Sequence, residues 1–158
     1  MRNIVLTRID DRLIHGQVIT AWVKHIKCDT VLIIDESLSK NVMMQRIYKA
    51  AAPTGLIVEI MDEASAVNYL KSDCETSRNV IILVKIPQVV ETIRSLGIDI
   101  KSVILGGMGS NHERKKLIRN VFSSQAENEC FKRLIDSGCT VEYQIVPAEK
   151  STDISKLI

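Results

Sequence analysis

The stretch Asn3-Ile4-Val5-Leu6-Thr7-Arg8-Ile9-Asp10-Asp11-Arg12-Leu13-Ile14-His15-Gly16-Gln17-Val18-Ile19 changes its hydrophobic rhythm midway. Its first part, Asn3–Ile9, carries Ile4, Val5 and Leu6 without interruption, the pattern of a strand buried on both faces. Beyond Gly16 the apolar residues Val18, Ile19, Trp22, Val23 and Ile26 recur at helical spacing. His15 therefore falls in a strand-to-helix turn, beside the unpaired N–H groups of a first helical turn. Such a helix mouth favours a bound anion. It disfavours added positive charge, which keeps an imidazole neutral and nucleophilic.

The same alternation continues outward. Strands are expected over Asn3–Ile9, Thr30–Ile34, Leu56–Ile60, Asn79–Val84, Ser102–Leu105 and Thr140–Val146, with a short one around Asn120–Ser123. Amphipathic stripes separate them: Met43, Ile47, Ala50 and Ala51; then Ala66, Val67 and Leu70; then Val89, Val90, Ile93 and Leu96, between Pro87 and Gly97; then Cys130, Phe131, Leu134 and Ile135, closed by Gly138. Ser151–Ile158 reads as a short terminal helix or a frayed tail. The fold class is α/β, an open, mostly parallel sheet with helices on both faces, in one domain over residues 1–158. At 46% hydrophobic but 4% aromatic, the core must be aliphatic.

Ligands of such sheets bind outside the carboxyl ends of the strands, which is where His15 lies. Arg12 offers a planar, always-charged partner for phosphate, and Gly16 leaves an anion room to approach the backbone. Gly16 and Gln17, in the first helical turn, are the expected phosphate-binding positions. Asp10 and Asp11 would repel a phosphoryl group directly. One is expected to orient Arg12 or His15 and the other to cap the turn or helix, and the residues alone leave open which does which. Arg8 is expected near the strand end, adding positive field or meeting a partner. Lys115, Lys116 and Arg119 read as a solvated basic face or part of a docking surface. Gly106-Gly107-Met108-Gly109 fails the dinucleotide fingerprint, because His112 stands where the last glycine belongs, and reads as a close-approach loop.

Other chemistries find little support. A net charge of +2 marks no polyanion binder, so nucleic acid is not an expected partner. Cys28, Cys74, Cys130 and Cys139 form no Cys-x-x-Cys pair or zinc spacing, and read as reduced thiols. His25 and His112 have no metal-ligand neighbours, so no metal is expected. Met1-Arg2-Asn3 leads straight into a strand without a leader pattern, and no apolar run is long enough to span a bilayer, so a cytosolic protein is expected.

The string Arg8 to Val18 resembles the active-site segment of IIB subunits of the bacterial sugar phosphotransferase system, in the mannose/fructose/sorbose family. Gly106-Gly107-Met108 followed by Arg114-Lys115-Lys116 is similar to that family's later glycine loop, and Val141-Glu142-Tyr143-Gln144-Ile145-Val146-Pro147 to its last strand. The resemblance implies that His15 accepts a phosphoryl group, on Nδ1, from a IIA phosphohistidine. It then passes the group to a sugar presented by membrane IIC/IID subunits. The expected enzyme is a protein-histidine:sugar phosphotransferase without cofactor, cytoplasmic and recruited peripherally to the membrane transporter. Two alternatives stand beside it: a regulatory phosphoprotein that uses the same histidine to change its partners, and a nucleotide-binding α/β module resting only on the fold and Gly106–Gly109.

Overall fold

The computed structural model describes residues 1–73 and 78–158, apart from the side chain of Gln17; Cys74 therefore falls outside the described residues. In chain order the elements are β1 (Asn3–Asp10), α1 (Gly16–Ile26), β2 (Thr30–Ile34), α2 (Glu36–Ser39), α3 (Val42–Ala51), β3 (Ile57–Met61), α4 (Glu63–Lys71), β4 (Asn79–Val84), α5 (Pro87–Ser95), β5 (Ser102–Gly107), β6 (Lys115–Ile118), β7 (Val121–Ser123), α6 (Gln125–Asp136), β8 (Thr140–Tyr143) and β9 (Thr152–Asp153). The main sheet runs β3-β2-β4-β1-β5-β8-β9, parallel throughout except for β9 against β8. The α/β class with helices on both faces is what the structure shows.

Alternation along the strands builds two cores. Val80, Ile82 and Val84 of β4 face a cluster that holds Ala66, Val67 and Leu70 of α4, Val90 and Ile93 of α5, and Phe131 and Leu134 of α6. Ile81 and Leu83 face the opposite cluster, with Ile19 and Trp22 of α1, Leu38 of α2 and the flanking Met44 and Tyr48 of α3. The chain leaves β1 through α1 toward β2 and leaves the adjacent β4 through α5 toward β5. Adjacent strands whose connections depart in opposite directions open a crevice at their carboxyl ends. The turn carrying His15 begins there.

Three expectations need correction. The segment read as a terminal helix or tail pairs as β9, Thr152 against Tyr143 and Asp153 against Glu142. β8 stops at Tyr143 rather than Val146, because the carbonyls of Gln144 and Ile145 accept from the side chains of Arg8 and Trp22, at 2.8 Å each. Lys115 and Lys116 are exposed, as either reading of them requires, on a strand, β6, that forms an antiparallel hairpin with β7. The stripe Met43, Ile47, Ala50 and Ala51, whose spacing suits a core-facing helix, is exposed.

Cys28, Cys130 and Cys139 are free thiols. Burial, reinforced by the charge of Glu91, pushes the Cys130 thiol up to about 12. The folded protein thus holds this proton where an unfolded thiol, at about 8.5, gives it up. Its contribution to stability is complete below that pH and falls as pH rises toward 12. Alkylation at pH 8 followed by peptide mapping should leave Cys130 unmodified in folded protein and modify it in urea; equal labelling in both would contradict the burial.

Candidate active site

The turn after β1 is built by Asp10. Its backbone carbonyl accepts from the Leu13 N–H at 2.9 Å, and its Oδ1 accepts from the Arg12 N–H at 3.2 Å. Leu13 takes φ 57°, a left-handed conformation, and is nevertheless buried with Ile14 against the α1 core. That anchors the turn from below and lifts His15 to the mouth of α1. Gly16 follows at φ 47°; a Cβ there would meet nothing within 4 Å, so the backbone conformation rather than crowding calls for glycine. The open space is where an anion would approach.

Asp10 is fully buried and binds both arginines of the segment. It accepts from Arg12 Nε at 3.1 Å and Nη2 at 3.2 Å, a two-point grip, and from Arg8 Nη2 at 3.3 Å. Arg12 remains half exposed, with Nη1 free of this grip. Asp10 also lies 3.8 Å from His15 Nε2. It is therefore the residue that orients Arg12 and faces His15. Asp11 turns the other way and ties down the glycine loop. Its Oδ2 accepts from the Gly109 N–H at 2.6 Å and lies 3.7 Å from Arg114 Nη1.

Arg8 is inside, not at the surface. Its guanidinium is buried, donates to the Gln144 carbonyl and lies 5.7 Å from the Trp22 ring centre. Burial lowers its pKa while the Asp10 carboxylate opposes the change. It stays charged, as guanidinium does in proteins. A bulge at Gly106, where Ile9 pairs with Leu105 but Asp10 with Gly107, makes the space for it. A Cβ on Gly106 would collide with that guanidinium. Gly106 and Gly107, expected in a close-approach loop, extend β5, and Gly106 accommodates the protein's own arginine, which removes the structural basis for reading these glycines as a nucleotide cradle. Gly106→Ala should lower the melting temperature by several degrees, a shift of about 1–3 kcal/mol from overpacking, and an unchanged thermal transition would refute the crowding.

His15 Nδ1 lies 3.0 Å from the Leu13 carbonyl. A carbonyl only accepts, so the contact places a proton on Nδ1. Nε2 is shielded from solvent and has no hydrogen-bond partner among the described residues. His15 is also the N-cap of α1 and makes no side-chain cap, whereas Asp35, Asn41, Asp62 and Ser124 cap α2, α3, α4 and α6. The first turn of α1 contains no acidic residue. Its amides take no side-chain cap from His15. Gln17 takes the second helical position, but its side chain lies outside the described residues.

Sequence reasoning missed the outer ties. Arg114 is nearly buried and donates to Glu127 through Nε and Nη2, the latter at 2.6 Å, and to the Gly109 carbonyl at 2.9 Å. Glu127 in turn closes the capping box of α6 with Ser124. Asn120 donates to the Gly106 carbonyl at 2.9 Å and accepts from the Tyr143 hydroxyl. The spacing Ser124-x-x-Glu127 is a readable helix start; its link to Arg114 depends on packing. His112 is exposed, and His25 stacks edge-on against Trp22. Among the described residues no cluster of three or more His, Cys, Asp or Glu is placed to hold a metal ion, and no helix is long and apolar enough to cross a membrane.

This arrangement can be compared with known proteins. The family model for the sorbose-subfamily IIB component of the PTS system, the sugar phosphotransferase system, matches residues 4–158. The fructose-specific EIIB component of Bacillus subtilis is 26% identical, with 100% of this chain and 97% of that protein covered. The mannose-specific EIIAB component of Escherichia coli K12 is 28% identical over 97% of this chain, which spans 47% of that longer protein. The crystal structure of the IIBSor domain of the Klebsiella pneumoniae sorbose permease superposes with a TM-score of 0.93 at 28% identity, covering 98% of this chain and 94% of that one. With the strand order, the helix-mouth histidine and the family match in agreement, the chain belongs to the sorbose-subfamily IIB components of the sugar phosphotransferase system.

Proposed function

We propose that His15 is the residue on which this IIB component carries its phosphoryl group, as a phosphohistidine intermediate, with residues 1–158 acting as one domain. The observation that carries the reading is the position of His15: at the uncapped mouth of α1, with Asp10 gripping Arg12 beside it. A ring-nitrogen lone pair attacks phosphorus on the donor's phosphohistidine. The donor's P–N bond breaks, and its electron pair returns to the donor imidazole. In the second step a sugar hydroxyl oxygen attacks the phosphorus on His15, the P–N bond breaks, and the hydroxyl proton leaves to a base.

Little covalent chemistry falls to the protein, so alignment and charge carry the rate. The α1 amides, those of Gly16 and Gln17 among them, and the free edge of Arg12 receive the phosphoryl oxygens. Asp10 holds that guanidinium in place and attracts positive charge developing on the ring. In the observed rotamer Nδ1 bonds the Leu13 carbonyl, and Nε2 is shielded and faces the Asp10 carboxylate at 3.8 Å, so the ring turns before either nitrogen meets the donor. Acceptance on Nδ1, which the resemblance implies, requires the ring to leave the Leu13 carbonyl first.

The proposed donor is a IIA protein or domain, and the proposed acceptor is a sugar held by membrane IIC/IID subunits that recruit this protein to the membrane. The two-part EIIAB relative supports a IIA partner. Incubation with phosphorylated IIA, followed by mapping of the acid-labile label and nitrogen NMR of the ring, tests the acceptor and identifies the nitrogen. Label on another residue would end this reading. Arg12→Lys should fold normally yet slow transfer by on the order of ten- to a hundredfold, because a point charge replaces a planar fork. Single-turnover rates equal to the wild type at saturating donor would remove Arg12 from the mechanism.

A further inference from the structure

The outward stripe on α3 has no role in the chemistry at His15. Val42, Met43 and Ile47 are 62%, 74% and 53% exposed, and the helix has no buried residue. Only its other side, Met44 and Tyr48, packs on the sheet. Met43, Ile47 and Ala50 follow the i, i+4, i+7 spacing by which a helix enters a groove on another protein. Arg46 and Lys49 flank the stripe, and α3 contains no acidic residue. The face is apolar along Met43, Ile47 and Ala50 and basic along its one free side.

Its place in the fold points to a partner. α3 follows β2 and the short α2, so its first turn, including Val42 and Met43, starts at the carboxyl edge of the sheet that also carries His15. It lies on the same side of the sheet as α1. β2 is two strands from β1, about 10 Å across the sheet. A protein that covers His15 with an ordinary footprint of about 800 Å² reaches the start of α3. Two kinds of protein must cover His15 in turn, the donor and the membrane acceptor. Cytoplasmic loops of membrane proteins are rich in Lys and Arg, which oppose a basic helix face. A soluble donor with an acidic rim does not.

We infer that the Val42–Met43–Ile47 face of α3, with Arg46 and Lys49, is a docking surface for the phosphoryl-donor IIA protein, which meets it with an apolar patch rimmed by carboxylates. This inference rests on the reading of His15 as acceptor. Phosphorylation kinetics of full-length protein with its cognate phosphorylated IIA test it, together with NMR titration by unphosphorylated IIA. Met43→Gln with Ile47→Gln, and separately Arg46→Glu, should raise KM for the donor on the order of tenfold with kcat unchanged. Amide shifts in α3 should appear together with those around His15, and the Arg46→Glu penalty should shrink with added salt. Circular dichroism and melting curves confirm that these exposed-site variants remain folded. Unchanged KM with an untouched α3 overturns the docking surface while leaving the role of His15 standing. Failure of wild-type protein to take label overturns the role of His15, and the docking surface is then decided by whether the titration perturbs α3. If sedimentation shows that the variants only dissociate a dimer of this chain, with KM unmoved, the face is a self-contact and the inference is wrong.

Discussion

His15→Ala is expected to abolish phosphoryl acceptance and leave the fold in place. The ring contributes one hydrogen bond, from Nδ1 to Leu13, and is partly exposed. Loss of such a bond costs about 1 kcal/mol. The turn beneath it is held independently by the Leu13 N–H to Asp10 bond and by buried Leu13 and Ile14. His25 and His112 do not replace it, since one packs against Trp22 near the far end of α1 and the other stands in an exposed loop. Label should fall to background with donor in excess, while the melting curve stays within a few degrees of the wild type. Wild-type label on folded His15→Ala protein would show that the acceptor lies elsewhere.

Asp10→Asn is expected to damage both stability and transfer. The Arg8 guanidinium is buried, and Asp10 is the carboxylate within its reach among the described residues. Breaking a buried ion pair by removing one charge costs about 3–5 kcal/mol, because the other is left uncompensated. Against a total stability on the order of 5–15 kcal/mol this is a large share. For a chain of this length it corresponds to a drop of about 6–20 °C in melting temperature. Arg12 loses its two-point grip in the same change, so transfer should slow even well below the new midpoint. Arg8→Met combined with Asp10→Asn should recover much of the stability, since no buried charge then lacks a partner, without recovering transfer. A single Asp10→Asn variant that melts like the wild type would show that Arg8 does not depend on this carboxylate.

Much of the fold was legible because it is written in local periodicity. The unbroken Ile4-Val5-Leu6 run, the helical stripe from Val18 to Ile26 and the glycines that close α5 and α6 are properties of neighbouring residues. They place strands, helices and the turns between them without reference to the remainder of the chain. The order of these elements dictates a mostly parallel sheet, and that in turn places His15 at its carboxyl edge. The motif around His15 carried the family, and the match over residues 4–158 agrees with it.

What the local pattern left open was where side chains go once distant segments meet. Asp10 and Asp11 are adjacent and chemically identical, yet one points inward to Arg8 and Arg12 and the other reaches Gly109. Arg8 looks like a surface cation in the sequence, and becomes a core residue because a bulge at Gly106 and the Gln144 carbonyl receive it. The α3 stripe has the spacing of a buried face, but α3 covers the outer strands of the sheet and packs through Met44 and Tyr48 instead. The sequence by itself determined the alternation of strands and helices and the turn that presents His15, because backbone periodicity and turn chemistry act over a few residues. Only the tertiary structure decided which carboxylate holds which arginine and which helix face stays outside, because those choices depend on partners contributed by strands and loops far away in the chain.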